Sequence, residues 1–179
     1  MFPISHFNIT RTPFYYYDKT LLSNTLAKLI RLAGERNYHV HYAVKANANP
    51  EILKLIAASG IGADCVSGGE IKAALEAGFP AKKIVFAGVG KADWEIEYAL
   101  EKKIFCFNVE SAEELSVIEE LAKKKENIAS IALRINPNID AHTHEYITTG
   151  LSENKFGIPI EMLDSIFSQI QRSPHVQLV

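Results

Sequence analysis

Two periods of hydrophobicity alternate along the chain. Short apolar runs, typical of buried strands, are separated by stretches in which apolar residues recur every three or four positions, as on one face of a helix. After a short aromatic strand at 14–17, the predicted strands are 38–44, 62–66, 83–87, 104–108, 128–135 and 175–179. The pattern predicts a helix between each strand and the next.

Local signals mark where these helices begin and end. Asp18, Ser67 and Ser111 are good N-caps, and each serine is followed three residues later by a glutamate, as in a capping box. Pro50 occupies a first-turn position, where a missing N–H costs little. Glycines are placed to end the first three helices, at Gly34, Gly60 and Gly78.

This alternation of strands and helices predicts right-handed crossovers and a parallel sheet with helices packed outside it. Two α/β architectures satisfy the pattern, an open doubly wound sheet and a (β/α) barrel. The segment 45–49 after the first strand reads Lys-Ala-Asn-Ala-Asn and contains no G-x-G-x-x-G loop. Its absence weakens the dinucleotide-binding interpretation.

Composition narrows the class of protein. The 179 residues are 47% hydrophobic and 22% charged, with a net charge of -2, as in ordinary globular domains and unlike a basic nucleic-acid binder. No apolar run approaches the roughly 20 residues needed to cross a bilayer, and the first residues lack signal-peptide character. Cys65 and Cys106 are far apart, which disfavours a disulfide framework and a cysteine zinc site. We therefore expect a soluble, cytoplasmic protein.

Lys45 is the most informative polar residue at a strand end, where both architectures bind ligands. It follows the run 41–44, so we expect it to face an apolar interior that disfavours the ammonium form. A confined neutral amine suits Schiff-base chemistry with a carbonyl cofactor. A solvated lysine just past a strand end is the alternative.

Two charged residues lie within apolar strands. Asp64 stands between Ala63 and Cys65, and Arg134 lies near the end of the fifth strand. Buried charges need partners, so Asp64 and Arg134 could form a structural ion pair with each other. The alternative is a functional role, in which they lie near a cofactor ring and fix its polar edge or tune Lys45.

Two further segments carry candidate chemistry. The sequence 67–70, Ser-Gly-Gly-Glu, is explained by a capping box, although its paired glycines suggest that something approaches the backbone closely. The long loop from 136 to about 157 contains His142 and His144. His-x-His spacing alone is a weak metal signal, so we interpret the segment as an active-site loop and predict no metal.

Four of these segments together resemble a known family. The segments 42–47 (YAVKAN) and 62–70 (GADCVSGGE) are similar to two motifs of the fold-III, pyridoxal-phosphate-dependent decarboxylases. The segments 12–18 and 133–157 resemble the branch of that family that acts on diaminopimelate. The resemblance runs along essentially the whole chain, in order.

The resemblance implies a (β/α)8 barrel that carries pyridoxal 5'-phosphate at the carboxyl ends of its strands. Lys45 would hold the cofactor covalently, and Asp64 and Arg134 would contribute to its binding. Residues 1–13 would belong to a β-rich second domain, and residues 14–179 would form a partial alanine-racemase-like barrel. The implied reaction is the decarboxylation of meso-2,6-diaminopimelate to L-lysine by a homodimer.

Length is where the chain departs from the family. A complete barrel needs about 250 residues, and only five βα units and the start of a sixth strand are present. We therefore expect an N-terminal fragment that is inactive alone and holds the cofactor weakly or not at all. Two alternatives stay open: a related decarboxylase of arginine or carboxynorspermidine, and a non-catalytic protein that binds pyridoxal phosphate or regulates.

Overall fold

The computed structural model describes residues 4–137 and 156–179. The α-helices in these ranges are Ile4–Phe7 (α1), Lys19–Gly34 (α2), Pro50–Ala58 (α3), Gly68–Glu76 (α4), Asp93–Lys102 (α5), Ala112–Lys124 (α6) and Leu163–Arg172 (α7). The strands are His41–Ala43 (β1), Gly62–Cys65 (β2), Ile84–Phe86 (β3), Cys106–Val109 (β4), Ala129–Leu133 (β5), Ile135–Asn136 (β6), Ile158–Pro159 (β7) and Val176–Leu178 (β8). Short 3₁₀ turns occupy Val44–Ala46, Ala81–Lys83 and Ile160–Met162.

Six strands form one parallel sheet in the order β1-β2-β3-β4-β5-β8. Each strand pairs with the next strand of the sheet along the chain, so the order never reverses as it does in a doubly wound sheet. This is the strand order of a (β/α) barrel. The α/β barrel prediction is therefore confirmed, and the doubly wound alternative is wrong.

The two faces of the sheet differ in burial. The strand residues that point to the helices alternate along each strand. They are completely or almost completely buried, as in the case of Ala63, Phe86, Phe107 and Ile131. On the opposite face, the register places Ala43, Asp64, Val85 and Cys106 side by side. In the part of the chain that the structure describes, β1 and β8 are sheet edges, so this second face is open.

The helix signals in the sequence are confirmed at most termini. Asp18 Oδ1 accepts a hydrogen bond from the Leu21 N–H at 2.9 Å, and Asn49 caps α3 ahead of Pro50. Ser67 Oγ and Ser111 Oγ accept from the third residue of α4 and α6. Gly60 and Gly78 both have positive φ just after a helix, a conformation in which a side chain would be strained.

Some local predictions are wrong. Residues 14–17 form no strand, and helix α1 precedes them. The fifth strand does not run to residue 135, because the chain leaves the main sheet at Arg134 and Ile135–Asn136 pairs instead with β7. The prediction that residues 1–13 belong to a second domain stays a prediction.

Within residues 4–137 and 156–179, no helix is long and apolar enough to cross a membrane.

Candidate active site

The carboxyl ends of the parallel strands bring several polar residues to one edge of the sheet. Lys45 lies in the 3₁₀ turn Val44–Ala46 directly after β1. Fully buried Val44 anchors this turn, whereas Lys45 itself is exposed. The expectation that Lys45 faces an apolar interior is therefore wrong for the described structure, because the open face of the sheet leaves the turn accessible.

Asn47 organises the backbone around Lys45. Its carbonyl accepts a hydrogen bond from the Tyr42 hydroxyl, and its side-chain amide donates to the Tyr17 hydroxyl, both at 3.1 Å. Its side-chain oxygen also accepts from the Asn49 N–H at 2.9 Å. The turn that carries Lys45 is thus tied to β1, to α3 and to the segment that precedes α2.

Asp64 on β2 pairs with Ala43 on β1 in the register of the sheet. Ala43 lies two residues before Lys45 in the sequence. Its Oδ1 atom is buried and accepts no hydrogen bond from any described residue. Burial raises the pKa of Asp64, against the opposing effect of the positive charges of Lys45 and His41. Among the described residues, this leaves a buried acceptor without a donor close to a lysine.

Arg134 does not pair with Asp64, so the structural ion pair considered for these two residues is wrong. The Arg134 Nη1 atom instead donates to both carboxylate oxygens of Glu110 at 3.0 Å. Asp64 is on β2 and Arg134 follows β5, and three strand spacings separate them by roughly 14 Å. Glu110 follows β4, the neighbour of β5, and is therefore the acidic residue within reach.

The Arg134 guanidinium is partly exposed among the described residues. Its side chain is 49% exposed, whereas the Glu110 side chain is buried. The guanidinium also stacks over the Phe156 ring, 5.6 Å from its centroid. The buried carboxylate thus holds an arginine whose other N–H groups can donate to an anionic or polar ligand.

The paired glycines have an explanation within the protein. A Cβ atom on Gly68 would lie 2.9 Å from the Trp94 ring, whereas one on Gly69 would meet nothing closer than 3.7 Å. The Gly68 N–H also donates to Glu95 Oε1 at 2.7 Å. The close approach predicted for this loop is therefore made at Gly68 by Trp94 and Glu95 of α5.

The capping boxes differ from the predicted form in one detail. Glu70 accepts from the Val66 N–H at 2.8 Å, and Glu114 accepts from the Glu110 N–H at 3.1 Å. Each glutamate thus reaches one residue beyond the serine that caps its helix. These bonds fix the loops that follow β2 and β4.

A cavity of about 420 Å³ opens on the uncovered face of the sheet. Asp64, Cys106 and Asn108 are among its lining residues, so it lies on the face that a complete barrel would enclose.

The two cysteines are free and buried, which raises the pKa of the Cys65 thiol to about 12 and that of Cys106 to about 11. Such thiols are poor nucleophiles.

The sequence alone assigned no role to Lys91 or Glu110, two residues that follow strands. The structure shows that Glu110 is the partner of Arg134 and that the buried side chain of Lys91 pairs with Glu114. An acidic residue directly after an apolar strand was the available signal for Glu110. Residues 138–155 of the predicted active-site loop, including His142 and His144, lie outside the described residues.

Comparisons with known proteins show which family this chain resembles. A family model described as "Pyridoxal-dependent decarboxylase, pyridoxal binding domain" matches residues 23–179. Diaminopimelate decarboxylase of Bacteroides thetaiotaomicron is 57% identical over 180 residues, which cover 100% of this chain and 47% of that protein. The chain thus spans about half the length of that relative.

Solved structures show the same similarity. The crystal structure of diaminopimelate decarboxylase from Helicobacter pylori complexed with L-lysine matches with a TM-score of 0.84 at 44% identity, over 98% of this chain and 45% of that one. The enzyme from M. jannaschii in complex with L-lysine matches with a TM-score of 0.85 at 38% identity, over 98% of this chain and 42% of that one.

Proposed function

Because this chain belongs to the pyridoxal-dependent decarboxylase family, we propose that the complete protein removes carbon dioxide from meso-2,6-diaminopimelate and releases L-lysine. The relatives support this substrate, since similar proteins are named diaminopimelate decarboxylase and two similar structures hold L-lysine. The structural observation that carries the proposal is Lys45, exposed at the carboxyl end of β1 near Asp64, whose Oδ1 atom accepts no hydrogen bond from the described residues.

These residues fit pyridoxal phosphate. The cofactor presents an aldehyde, and Lys45 offers a primary amine at the edge of the sheet where barrels bind ligands. The buried Oδ1 atom of Asp64 lacks a donor among the described residues, as expected for an acceptor that a bound group completes. When bound, pyridoxal phosphate withdraws the electron pair that the departing carbon dioxide leaves behind.

We assign a separate task to each residue of the chain. Lys45 would hold the cofactor through its side-chain amine. Asp64 would supply a negative charge beside Lys45 and orient the incoming amine of the substrate. Arg134, held by Glu110, would donate from its exposed guanidinium to the polar edge of the cofactor.

We also propose that residues 1–179 do not decarboxylate by themselves and bind the cofactor weakly or not at all. The open face of the described sheet supports this, because Lys45 is exposed where a closed site would exclude water. The complete protein is proposed to be a cytoplasmic homodimer. Sedimentation of the complete protein, and activity assays of the chain with and without the remainder, test these statements.

Reductive trapping tests the assignment of Lys45. The protein produced from its complete reading frame is loaded with pyridoxal phosphate, reduced with borohydride and digested, and the modified peptide is identified by mass spectrometry. We expect the label on Lys45. In Lys45→Ala we expect both the label and the release of lysine to be lost. Lys54→Ala, which removes an exposed lysine of α3, is the matched control. Label on another residue, or lysine release by Lys45→Ala, would overturn the proposal.

A substrate panel tests the reaction. The complete protein is assayed with meso-2,6-diaminopimelate, arginine and carboxynorspermidine, and we expect product from the first. Decarboxylation of another substrate in preference would overturn the substrate assignment. Tight cofactor binding without product from any of them would favour a non-catalytic protein.

A further inference from the structure

A buried lysine lies at the mouth of the barrel, outside the predicted site. The Lys91 side chain is 1% exposed. Its ammonium group donates to the Gly88 carbonyl at 2.7 Å, to the Asn108 carbonyl at 2.9 Å and to the carboxylate of Glu114. Because an ammonium has three donors, Lys91 is fully satisfied. It therefore joins the loop after β3, the end of β4 and the first turn of α6.

The contacts continue from Lys91 to Arg134. The second carboxylate oxygen of Glu114 accepts from the Glu110 N–H at 3.1 Å. The carboxylate of Glu110 in turn binds Arg134 Nη1. Two cations and two anions thus lie along one route from the loop after β3 to the residue after β5, in the order Lys91, Glu114, Glu110 and Arg134.

Burial distinguishes the Lys91–Glu114 pair from the other lysine–glutamate pairs of the described chain. Lys54–Glu51 and Lys124–Glu120 are mostly exposed, and such pairs contribute little to stability. A buried pair carries a desolvation penalty that its attraction barely offsets, so stability alone does not explain it. What Lys91 and Glu114 do provide is a fixed geometry, because both bind backbone groups at the ends of β3 and β4.

We propose that Lys91 and Glu114 are positioning residues that fix Glu110 and, through it, the guanidinium of Arg134 at the mouth of the barrel. The proposal rests on the proposed function only where it gives Arg134 a role in binding the cofactor. Its structural part, the transmission of order from Lys91 to Arg134, stands independently.

Hydrogen–deuterium exchange tests that structural part without cofactor. Lys91→Met, in the protein from its complete reading frame, removes the ammonium and keeps a side chain of similar length. We expect faster exchange at 88–91 and also at 108–111 and 133–135, where the Arg134 N–H donates to Val109. Faster exchange confined to 88–91 would overturn the proposal.

Two further variants keep this result interpretable. Lys91→Met/Glu114→Gln removes both charges, leaves an acceptor for the Glu110 N–H and avoids an uncompensated buried carboxylate. We expect it to be more stable than Lys91→Met and still to show faster exchange at 133–135. Lys125→Met is the matched control, because it breaks the surface bridges to Glu97 and Glu101 away from the mouth. We expect exchange at 133–135 to be unchanged in this variant.

The cofactor provides the second readout. We expect Lys91→Met/Glu114→Gln to weaken pyridoxal phosphate binding by on the order of tenfold and to shift its absorption spectrum, and we expect the same of Glu110→Gln. Added to Arg134→Met, the same change should have little further effect on affinity, because both act on one group. Fully multiplicative effects, or a lower melting temperature with unchanged affinity and spectrum, would overturn the proposal.

The two proposals fail in different ways. If the unaltered protein binds no pyridoxal phosphate, the proposed function is overturned, while exchange at 133–135 still decides whether Lys91 positions Arg134. If the cofactor binds through Lys45 but Lys91→Met leaves exchange at 133–135 unchanged, only the positioning proposal is overturned.

Discussion

Glu110 holds the guanidinium of Arg134 through two hydrogen bonds of 3.0 Å, both donated by Nη1. Because Glu110 follows β4 and Arg134 follows β5, the pair joins adjacent strands at the edge of the sheet that carries Lys45. The carboxylate is buried and the guanidinium is half exposed. A buried anion thus orients a cation whose outer edge stays available to a ligand.

The two neighbouring glycines of α4 give the first prediction. We expect Gly68→Ala to lower the free energy of unfolding by about 1 to 3 kcal/mol, because its Cβ would lie 2.9 Å from the Trp94 ring and 3.1 Å from Cγ of the buried Glu95. Gly69→Ala is the matched control. Its Cβ would meet nothing closer than 3.7 Å, and alanine favours the helix, so we expect a gain of up to about 1 kcal/mol.

Urea unfolding of the complete protein measures both changes. Equal effects of Gly68→Ala and Gly69→Ala would contradict the steric explanation. The contact with Trp94 can be tested separately, since Trp94→Leu should recover part of the loss caused by Gly68→Ala but should not alter the effect of Gly69→Ala.

The sequence predicted well those features that depend on residues close together along the chain. Asp18, Ser67 and Ser111 cap their helices as expected, because an N-cap bond spans only three residues. The alternation of the two hydrophobic periods was sufficient to predict a parallel α/β sheet, and the resemblance to the decarboxylase family implied that this sheet is a barrel. The alternation also identified Lys45 as a residue at a strand end.

Partners that depend on strand order could not be predicted in the same way. Asp64 and Arg134 were paired because both are charged residues in apolar strands, but two other strands lie between β2 and β5. The burial of Lys91 likewise depends on how the loop after β3 packs on β4 and α6. Such distances follow from the register of the sheet, which a single sequence does not reveal.

Glu95 gives the second prediction. Its carboxylate is buried and accepts from the Gly68 N–H at 2.7 Å and from the Ala92 N–H at 2.9 Å, so one side chain serves the first turns of both α4 and α5. We expect Glu95→Ala to reduce the free energy of unfolding by about 2 to 4 kcal/mol, because two backbone donors lose their acceptor.

Glu95→Gln should cost less, since its single oxygen still accepts one of the two bonds. Glu97→Ala, on the same helix but with its side chain 43% exposed, is the matched control and should change the free energy by less than about 0.5 kcal/mol. Equal losses for Glu95→Ala and Glu97→Ala in urea unfolding would contradict this role.

Tyr17 gives the third prediction. Its hydroxyl accepts from the Asn47 side chain at 3.1 Å, next to the turn that carries Lys45. We expect Tyr17→Phe to weaken cofactor binding about three- to tenfold, because a lost hydrogen bond is worth about 0.5 to 1.5 kcal/mol and loosens this turn. Tyr15→Phe is the matched control, since Tyr15 is 90% exposed. Titration with pyridoxal phosphate measures both, and a similar decrease in the two variants would refute the link.

Asp64 gives the last prediction, which concerns pH. Burial raises its pKa above the ordinary value of 3.8, so the folded protein binds the proton more readily than the unfolded chain does. The contribution of Asp64 to the free energy of unfolding therefore falls as pH rises from about 3.8 through the raised pKa. Above that pKa the full cost of burying the charged carboxylate is present. Asp64→Asn removes this penalty and keeps the shape of the side chain.

We therefore expect the melting temperature of cofactor-free Asp64→Asn to exceed that of the unaltered protein at pH 7 by more than it does at pH 4. Activity at pH 7 should nevertheless fall by about tenfold or more, because the charge beside Lys45 is lost. Asp18→Asn is the matched control, since asparagine caps a helix as well as aspartate does and Asp18 is exposed. An advantage of Asp64→Asn that is larger at pH 4 than at pH 7 would have the wrong sign for a buried carboxylate. It would show that the charge of Asp64 stabilises the folded protein, and that the Asp64 Oδ1 atom is not held ready for the cofactor.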